Sequence, residues 1–276
     1  MQKVTEYITS RQNALLTQVT GLSERKLRRR EGLFRFDGKK LFCEALQAGL
    51  PLTAVLLRES NAGDVQAAAA AWELPAGCRA VILPDTLFDR ISEEKSPDGV
   101  ICVSKNLDKI HKNVTIDKCD PGYEPLPLGR TLLLESVRDP GNLGTIIRSA
   151  KAFGVQNLVL SADCADLYNP RTIRAAMGTL FSQRVLVAED LVGVVKELGA
   201  RGRVYAAALK DTSVRLGQIS FGENDAVAVG NEGHGLSHEV LEACTDSVYI
   251  PMASGVESLN AGIAASVILW EFYRGN

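Results

Sequence analysis

Three short polar clusters, each following an apolar run, hold the residues best suited to chemistry: "RDPGNLGTIIR" (Arg138 to Arg148), "GNEGHGLS" (Gly230 to Ser237) and "IPMASGVESLN" (Ile250 to Asn260). In the first, Asn142 and Arg148 lie beside an Asp-Pro turn, where free backbone N–H groups at a helix start favour a phosphate or carboxylate. In the second, Gly230, Gly233 and Gly235 flank Asn231 and Glu232, and glycines let backbone approach a ligand closely. In the third, Ser258 and Asn260 stand at a helix start. The plainer alternatives are a surface ion pair for Arg148, a capping role for Asn142 and an N-cap for Ser258. Several chemistries are excluded. No GxxxxGK[ST] loop is present and no GxGxxG follows a strand. A GxSxG nucleophile turn is missing. His234 and His238, four apart, lack the glutamate of a metalloprotease helix, so no metal is expected.

Apolar spacing indicates what positions these clusters. At 100° per residue Leu143, Ile146, Ile147, Ala150 and Phe153 share one helix face, leaving Gly144, Thr145, Arg148 and Lys151 opposite, so Arg148 projects outward near the helix start. From Thr131 onward apolar strands alternate with helices, the pattern of a parallel sheet covered on both faces, whose ligands gather at the strands' carboxyl ends. The last helix carries Leu259, Ile263, Val267, Ile268, Leu269, Trp270 and Phe272 around its whole circumference. Such a helix is expected to be buried on every side, at a subunit interface, which predicts a homodimer. Upstream, short elements alternate from a basic helix at Ser23 to Arg30 through a strand ending at Ser104. The polar stretch 105–130 reads as a linker with a short strand at Asn113 to Ile116.

A length of 276 residues predicts two domains. These are expected at 1–105 and 130–276, with 106–129 between them. The net charge of -2 argues against nucleic acid, but residues 23–40 carry eight basic and three acidic side chains, 8 - 3 = +5. Arg25, Lys26, Arg28, Arg29, Arg30, Lys39 and Lys40 could meet phosphates, or form only a solvated face. Six scattered cysteines without a CxxC pair suggest reduced structural thiols. No segment reads as membrane-spanning and no signal peptide is evident, which makes the cytoplasm the expected location.

The three clusters, in this order over residues 130–276, resemble the signature blocks of the SpoU (TrmH-like) branch of the SPOUT RNA methyltransferases. "EGLFRFDGKKLFCEAL" and "KSPDGVICV" resemble that family's RNA-binding substrate domain. The resemblance implies an α/β fold: a C-terminal parallel-sheet domain with a deep trefoil knot, preceded by a small α/β RNA-binding domain. It also implies S-adenosylmethionine as cofactor, a homodimer, and methyl transfer to a ribose 2'-hydroxyl of RNA, with ribosomal favoured over transfer RNA. On matching positions Asn142, Arg148, Glu232, Ser258 and Asn260 would line the active site, and Gly230, Ile250 and Leu259 would contact the cofactor. Ala261, Gly262 and Asp37 depart from the family pattern without removing a polar catalytic group. A guanidinium keeps its proton at working pH, so Arg148 is expected to act electrostatically, not as a base. A non-catalytic RNA-binding dimer on the same fold is the main alternative; a Rossmann-type methyltransferase acting on small molecules would need a glycine-rich loop after the first strand and an acidic residue closing the next, which "DPGNLG" does not supply.

Overall fold

A computed structural model describes residues 6–107, 110–114 (backbone only), 126–231, 233–256 and 258–274. In chain order the first elements are β1 (Glu6–Tyr7), α1 (Ala14–Gly21), α2 (Arg25–Glu31), β2 (Leu33–Asp37), α3 (Lys39–Gln47), β3 (Leu52–Arg58), α4 (Ala62–Ala68), β4 (Arg79–Leu83), α5 (Asp85–Ile91) and β5 (Val100–Lys105). There follow β6 (Ile110–Val114), β7 (Thr131–Leu134), α6 (Pro140–Ala152), β8 (Asn157–Ser161), α7 (Pro170–Ala176), β9 (Arg184–Ala188) and α8 (Leu191–Gly199). The last are β10 (Val204–Ala207), β11 (Val214–Arg215), β12 (Ala226–Val229), α9 (His238–Ala243), β13 (Asp246–Tyr249) and α10 (Ala261–Arg274). Two compact units result: Met1–Leu107 with Tyr168–Ser182, and Asp108–Leu167 with Gln183–Asn276.

The first unit is built on a mixed sheet in the order β1-β4-β3-β5-β2, with β5 antiparallel to both neighbours. Leu15, Leu16, Val19 and Leu22 of α1 and its cap pack with Phe88 of α5 on Leu56, Val81 and Ile101. Strand β2 is buried on both faces, because alternate residues serve different partners. Phe34 and Phe36 lie 4.7 Å from Tyr168 and 5.1 Å from Phe181 respectively, ring centroid to centroid, so the segment 168–182 completes this core. On the opposite face Arg35, 1% exposed, makes a two-pronged contact with Asp37 at 2.6 and 2.8 Å. Arg35 also donates to the Ile91 carbonyl, and Asp37 accepts from Ser92 Oγ and the Glu93 N–H, so the buried charges are paired and hydrogen-bonded.

The second unit holds an eight-stranded sheet, order β11-β13-β10-β12-β7-β8-β9-β6, in which every pairing is parallel. Its central strands are buried along their whole length, as the unbroken apolar runs require. One row, Leu133, Val159, Leu186, Ala206 and Ala228, lies under Leu191, Val194, Val195 and Leu198 of α8 and Val240 of α9. Buried Arg130, at the start of β7, donates to the carbonyls of Phe221 and Phe272 and stacks 5.1 Å from the Phe272 ring. That contact fastens the end of α10 to the sheet.

Several elements differ from expectation. Residues 110–114, expected as linker with a strand at 113–116, form β6 and pair in parallel with β9 at the sheet edge. Helix α1 was not expected, although Asn13 caps it by accepting from the Leu15 N–H at 2.9 Å. Helix α10 buries Ala261, Gly262, Ala265, Ile268, Leu269 and Phe272 but exposes Ile263 (54%), Val267, Trp270 (49%) and Tyr273 (49%), so within one chain it is covered on one side only.

Candidate active site

The carboxyl ends of β10, β12 and β13 open into a cavity of about 510 Å³. Gly230, Ile250, Ser258 and Leu259, named from separate sequence clusters, all line it, together with Asn231 and Met252. Gly230 sits where chain folds back upon chain: a Cβ there would stand 2.2 Å from the Gly235 backbone, so no larger residue fits. The loop closes on itself through reciprocal backbone hydrogen bonds between Asn231 and Gly235, 3.1 and 2.8 Å. It is tied to the turn after β7 by two further bonds. Asn231 Nδ2 donates to the Ser136 carbonyl at 2.9 Å, and the Ser237 N–H donates to Glu135 Oε2 at 2.7 Å.

The start of α10 joins this wall to α6. Asn260 Oδ1 accepts from the N–H groups of Gly262 (3.0 Å) and Ile263 (3.3 Å), making Asn260 the cap of α10 and leaving the exposed Ser258 at the cavity. Ser258 as N-cap is thereby corrected. Asn260 Nδ2 also donates to Asn142 Oδ1 at 2.9 Å. Further along, Thr145 Cγ2 lies 3.4 Å from where a Gly262 Cβ would stand, and Ser149 Oγ meets Ser266 Oγ at 2.7 Å. Small residues let these helices approach closely, so Asn142 and Asn260 are held at adjoining ends.

Asn142 does not cap α6. Asp139 does, accepting from the Asn142 N–H at 2.9 Å, with Pro140 in the first turn. Arg148 is exposed and makes no hydrogen bond or ion pair among the described residues. It lies eight residues past Pro140, ~12 Å along the axis at 1.5 Å per residue. The expectation that it sits near the helix start, sharing an anion with the first-turn N–H groups, is therefore corrected. Glu232 lies outside the described residues.

In the first unit Arg25, Lys26, Arg29, Arg30 and Lys40 are exposed and Lys39 is half-buried. Arg28 differs. It is 4% exposed and its Nη1 donates to the carbonyls of Leu22 (2.8 Å) and Ser23 (2.6 Å), closing the carboxyl end of α1. Its guanidinium points inward and is not available to a phosphate.

Cys43, Cys78, Cys102, Cys164 and Cys244 are free thiols; Cys119 lies outside the described residues. Burial pushes Cys78 and Cys244 up to about 11, which keeps them protonated and unreactive. Among the described residues no cluster of His, Cys, Asp or Glu could hold a metal, and no helix is long and apolar enough to cross a membrane.

Fold and site together define a parallel α/β domain with a ligand cavity at its strand ends, joined in sequence to a smaller mixed-sheet unit. The SpoU rRNA Methylase family model matches residues 129–270, and a model for an MRM3-like substrate binding domain matches residues 13–102. The chain belongs to the SpoU rRNA methylase family. It is 30% identical to the 23S rRNA (guanosine(2553)-2'-O)-methyltransferase RlmP of Bacillus subtilis (strain 168), over 95% of this chain and 97% of that one. It is equally 30% identical to the 23S rRNA (uridine(2479)-2'-O)-methyltransferase of Streptomyces viridochromogenes, over 97% and 91%. An AdoMet-bound rRNA methyltransferase from Sinorhizobium meliloti superposes with a TM-score of 0.78 at 26% identity, covering 97% of each chain.

Sequence reasoning passed over Glu135, which grips Ser237. Its position directly after a strand, in a sheet whose ligands lie at strand ends, was the available signal.

Proposed function

We infer that the chain is an S-adenosylmethionine-dependent RNA methyltransferase that modifies a ribose 2'-hydroxyl of ribosomal RNA, working as a cytoplasmic homodimer. The observation carrying this reading is the convergence of Gly230, Ile250, Ser258 and Leu259 on one cavity, with Asn142 and Asn260 hydrogen-bonded beside it. The cavity suits the cofactor: Leu209, Val229, Met252 and Ile268 offer apolar surface, and the close chain-on-chain packing that Gly230 permits shapes its wall. The family's trefoil knot would be formed by the loops after β12 and β13.

When bound, S-adenosylmethionine supplies an activated methyl group on a good leaving group. The protein must then align the hydroxyl and ease loss of its proton. Ser258, exposed at the cavity, would orient the hydroxyl, with Asn260 beside it. Arg148, with all its donors unclaimed among the described residues, stabilises the developing alkoxide and the neighbouring phosphate, because a guanidinium does not serve as a base. Arg25, Lys26, Arg29, Arg30, Lys39 and Lys40 supply sequence-independent attraction to the RNA backbone. The strip Ile263, Val267, Trp270 and Tyr273, extended by Phe153 at 5.9 Å from Trp270, is the surface a second copy would cover.

Incubation with methyl-labelled cofactor and total RNA, followed by mapping of the alkali-resistant linkage, tests the assignment. Label in the 2'-position of ribosomal RNA is expected. Label in transfer RNA would redirect the substrate, label on a base would overturn the reaction type, and cofactor binding without transfer to any RNA would leave a non-catalytic dimer.

A further inference from the structure

A second cavity, of about 260 Å³, opens between the carboxyl ends of β7 and β12. From β7 the chain runs outward through β8 and β9 on one side, while β12, β10 and β13 lie on the other, so the strand order reverses at this point. Open α/β sheets bind ligands where that reversal occurs. The cavity shares Asn231 and Gly235 with the cofactor cavity and is otherwise lined by Glu135, Ser136, Arg138 and His234, among others.

Its polar groups are held in place and only partly used. Arg138 is 71% exposed and makes one ion pair, from Nη2 to Asp163 Oδ2 at 2.8 Å. The remaining guanidinium N–H groups have no acceptor among the described residues. Asp163 is itself fixed by Ser136 Oγ (2.7 Å) and Ser161 Oγ (2.6 Å). Burial pushes the Asp163 carboxyl up, but the hydrogen bonds from Ser161, Arg138 and Ser136 outweigh it and hold the group at about 2, so the tether stays charged. Ser136 adopts a left-handed φ of 55°, uncommon for a residue with a side chain, and hydrogen bonds at its N–H, hydroxyl and carbonyl keep it there. An exposed ion pair contributes little to stability. Here it sets the position of a cation with spare donors. Half-buried Glu135 uses one carboxyl oxygen for the Ser237 N–H, and the other has no partner among the described residues.

A fixed cation at the mouth and a carboxyl acceptor within match a nucleotide, whose phosphate accepts and whose hydroxyl or amino groups donate. We propose that this cavity holds the RNA nucleotide flanking the methylated one, with Arg138 on its phosphate and Glu135 accepting from its sugar or base. The assignment rests on the RNA methyltransferase reading above. Sharing a wall with the cofactor cavity, it would place the neighbouring ribose at the methyl group.

The test uses the full-length protein, S-adenosylmethionine and 23S ribosomal RNA transcribed in vitro. Arg138→Ala should raise the RNA KM about 10- to 100-fold, the worth of a charge-assisted hydrogen bond, while cofactor affinity by calorimetry and kcat stay within about twofold. The slope of log RNA affinity against log salt should fall by about one phosphate contact, and Arg138→Lys should restore the slope but not the full KM. Glu135→Gln keeps an acceptor for Ser237 and should raise the RNA KM several-fold with cofactor affinity retained. Should Arg138→Ala not fold, this variant decides. An unchanged RNA KM in both variants, or a parallel fall in cofactor affinity, overturns the assignment. Wild-type protein that transfers no methyl group to RNA would instead undo the broader reading.

Discussion

Four arginines, two from each unit, are put to opposite uses. In the first, Arg28 and Arg35 are almost wholly buried, and their guanidiniums close a helix end and pair with a buried carboxylate. In the second, Arg148 is exposed without an acceptor among the described residues, and exposed Arg138 makes one ion pair. Whether a guanidinium's donors are already taken separates an architectural arginine from one kept for a ligand, and neither net charge nor local charge density reports this.

The contrast can be broken most forcefully at Arg35. Arg35→Met leaves the Asp37 charge buried without its partner and should lower unfolding free energy by about 3–5 kcal/mol in a denaturant titration. A loss below about 1 kcal/mol would mean that water reaches the site. Arg148→Ala should reverse the pattern, cutting methyl transfer about 10²- to 10³-fold while stability changes by less than about 0.5 kcal/mol and cofactor binding persists. Full turnover by that variant would remove Arg148 from the mechanism. Adjacent positions on one helix sharpen the distinction: Arg28→Ala should cost about 1–3 kcal/mol of stability, whereas Arg29→Ala should leave stability intact and flatten the salt dependence of RNA binding. Equal effects from both would erase the difference between them. The smallest effect concerns Asp163, whose folded value of about 2 lies below the ordinary carboxylate range of about 4. Its stabilisation is fully present above the unfolded value and is lost as pH falls through the folded one. The stability gap between wild type and Asp163→Asn should therefore be constant above pH ~4 and close towards pH ~2, as acid unfolding curves would reveal.

The strands of the second unit could be read in the sequence because burial on both faces requires uninterrupted apolar runs. The cofactor wall was legible for a related reason, since Gly230 and Ile250 fall just after such runs. Other features depend on distance through space. Nothing in "RKLRRRE" marks Arg28, the second arginine, as buried, because that follows from where α1 ends. Ser258 and Asn260 are both good capping residues, and only the path of the loop gives the cap to Asn260. Strand β6 hides in a polar stretch, as an edge strand needs little apolar character of its own. The C-terminal helix looked buried all round because periodicity cannot tell a face covered by its own chain from one awaiting another surface.

The return of residues 168–182 to the first unit has a practical corollary. A fragment ending after Leu107 would strip Tyr168 and Phe181 from Phe34 and Phe36, uncovering an aromatic patch and inviting aggregation. Grafting the amino-terminal module onto another methyltransferase would thus require a transplant in two pieces, with the later excursion of the chain carried along.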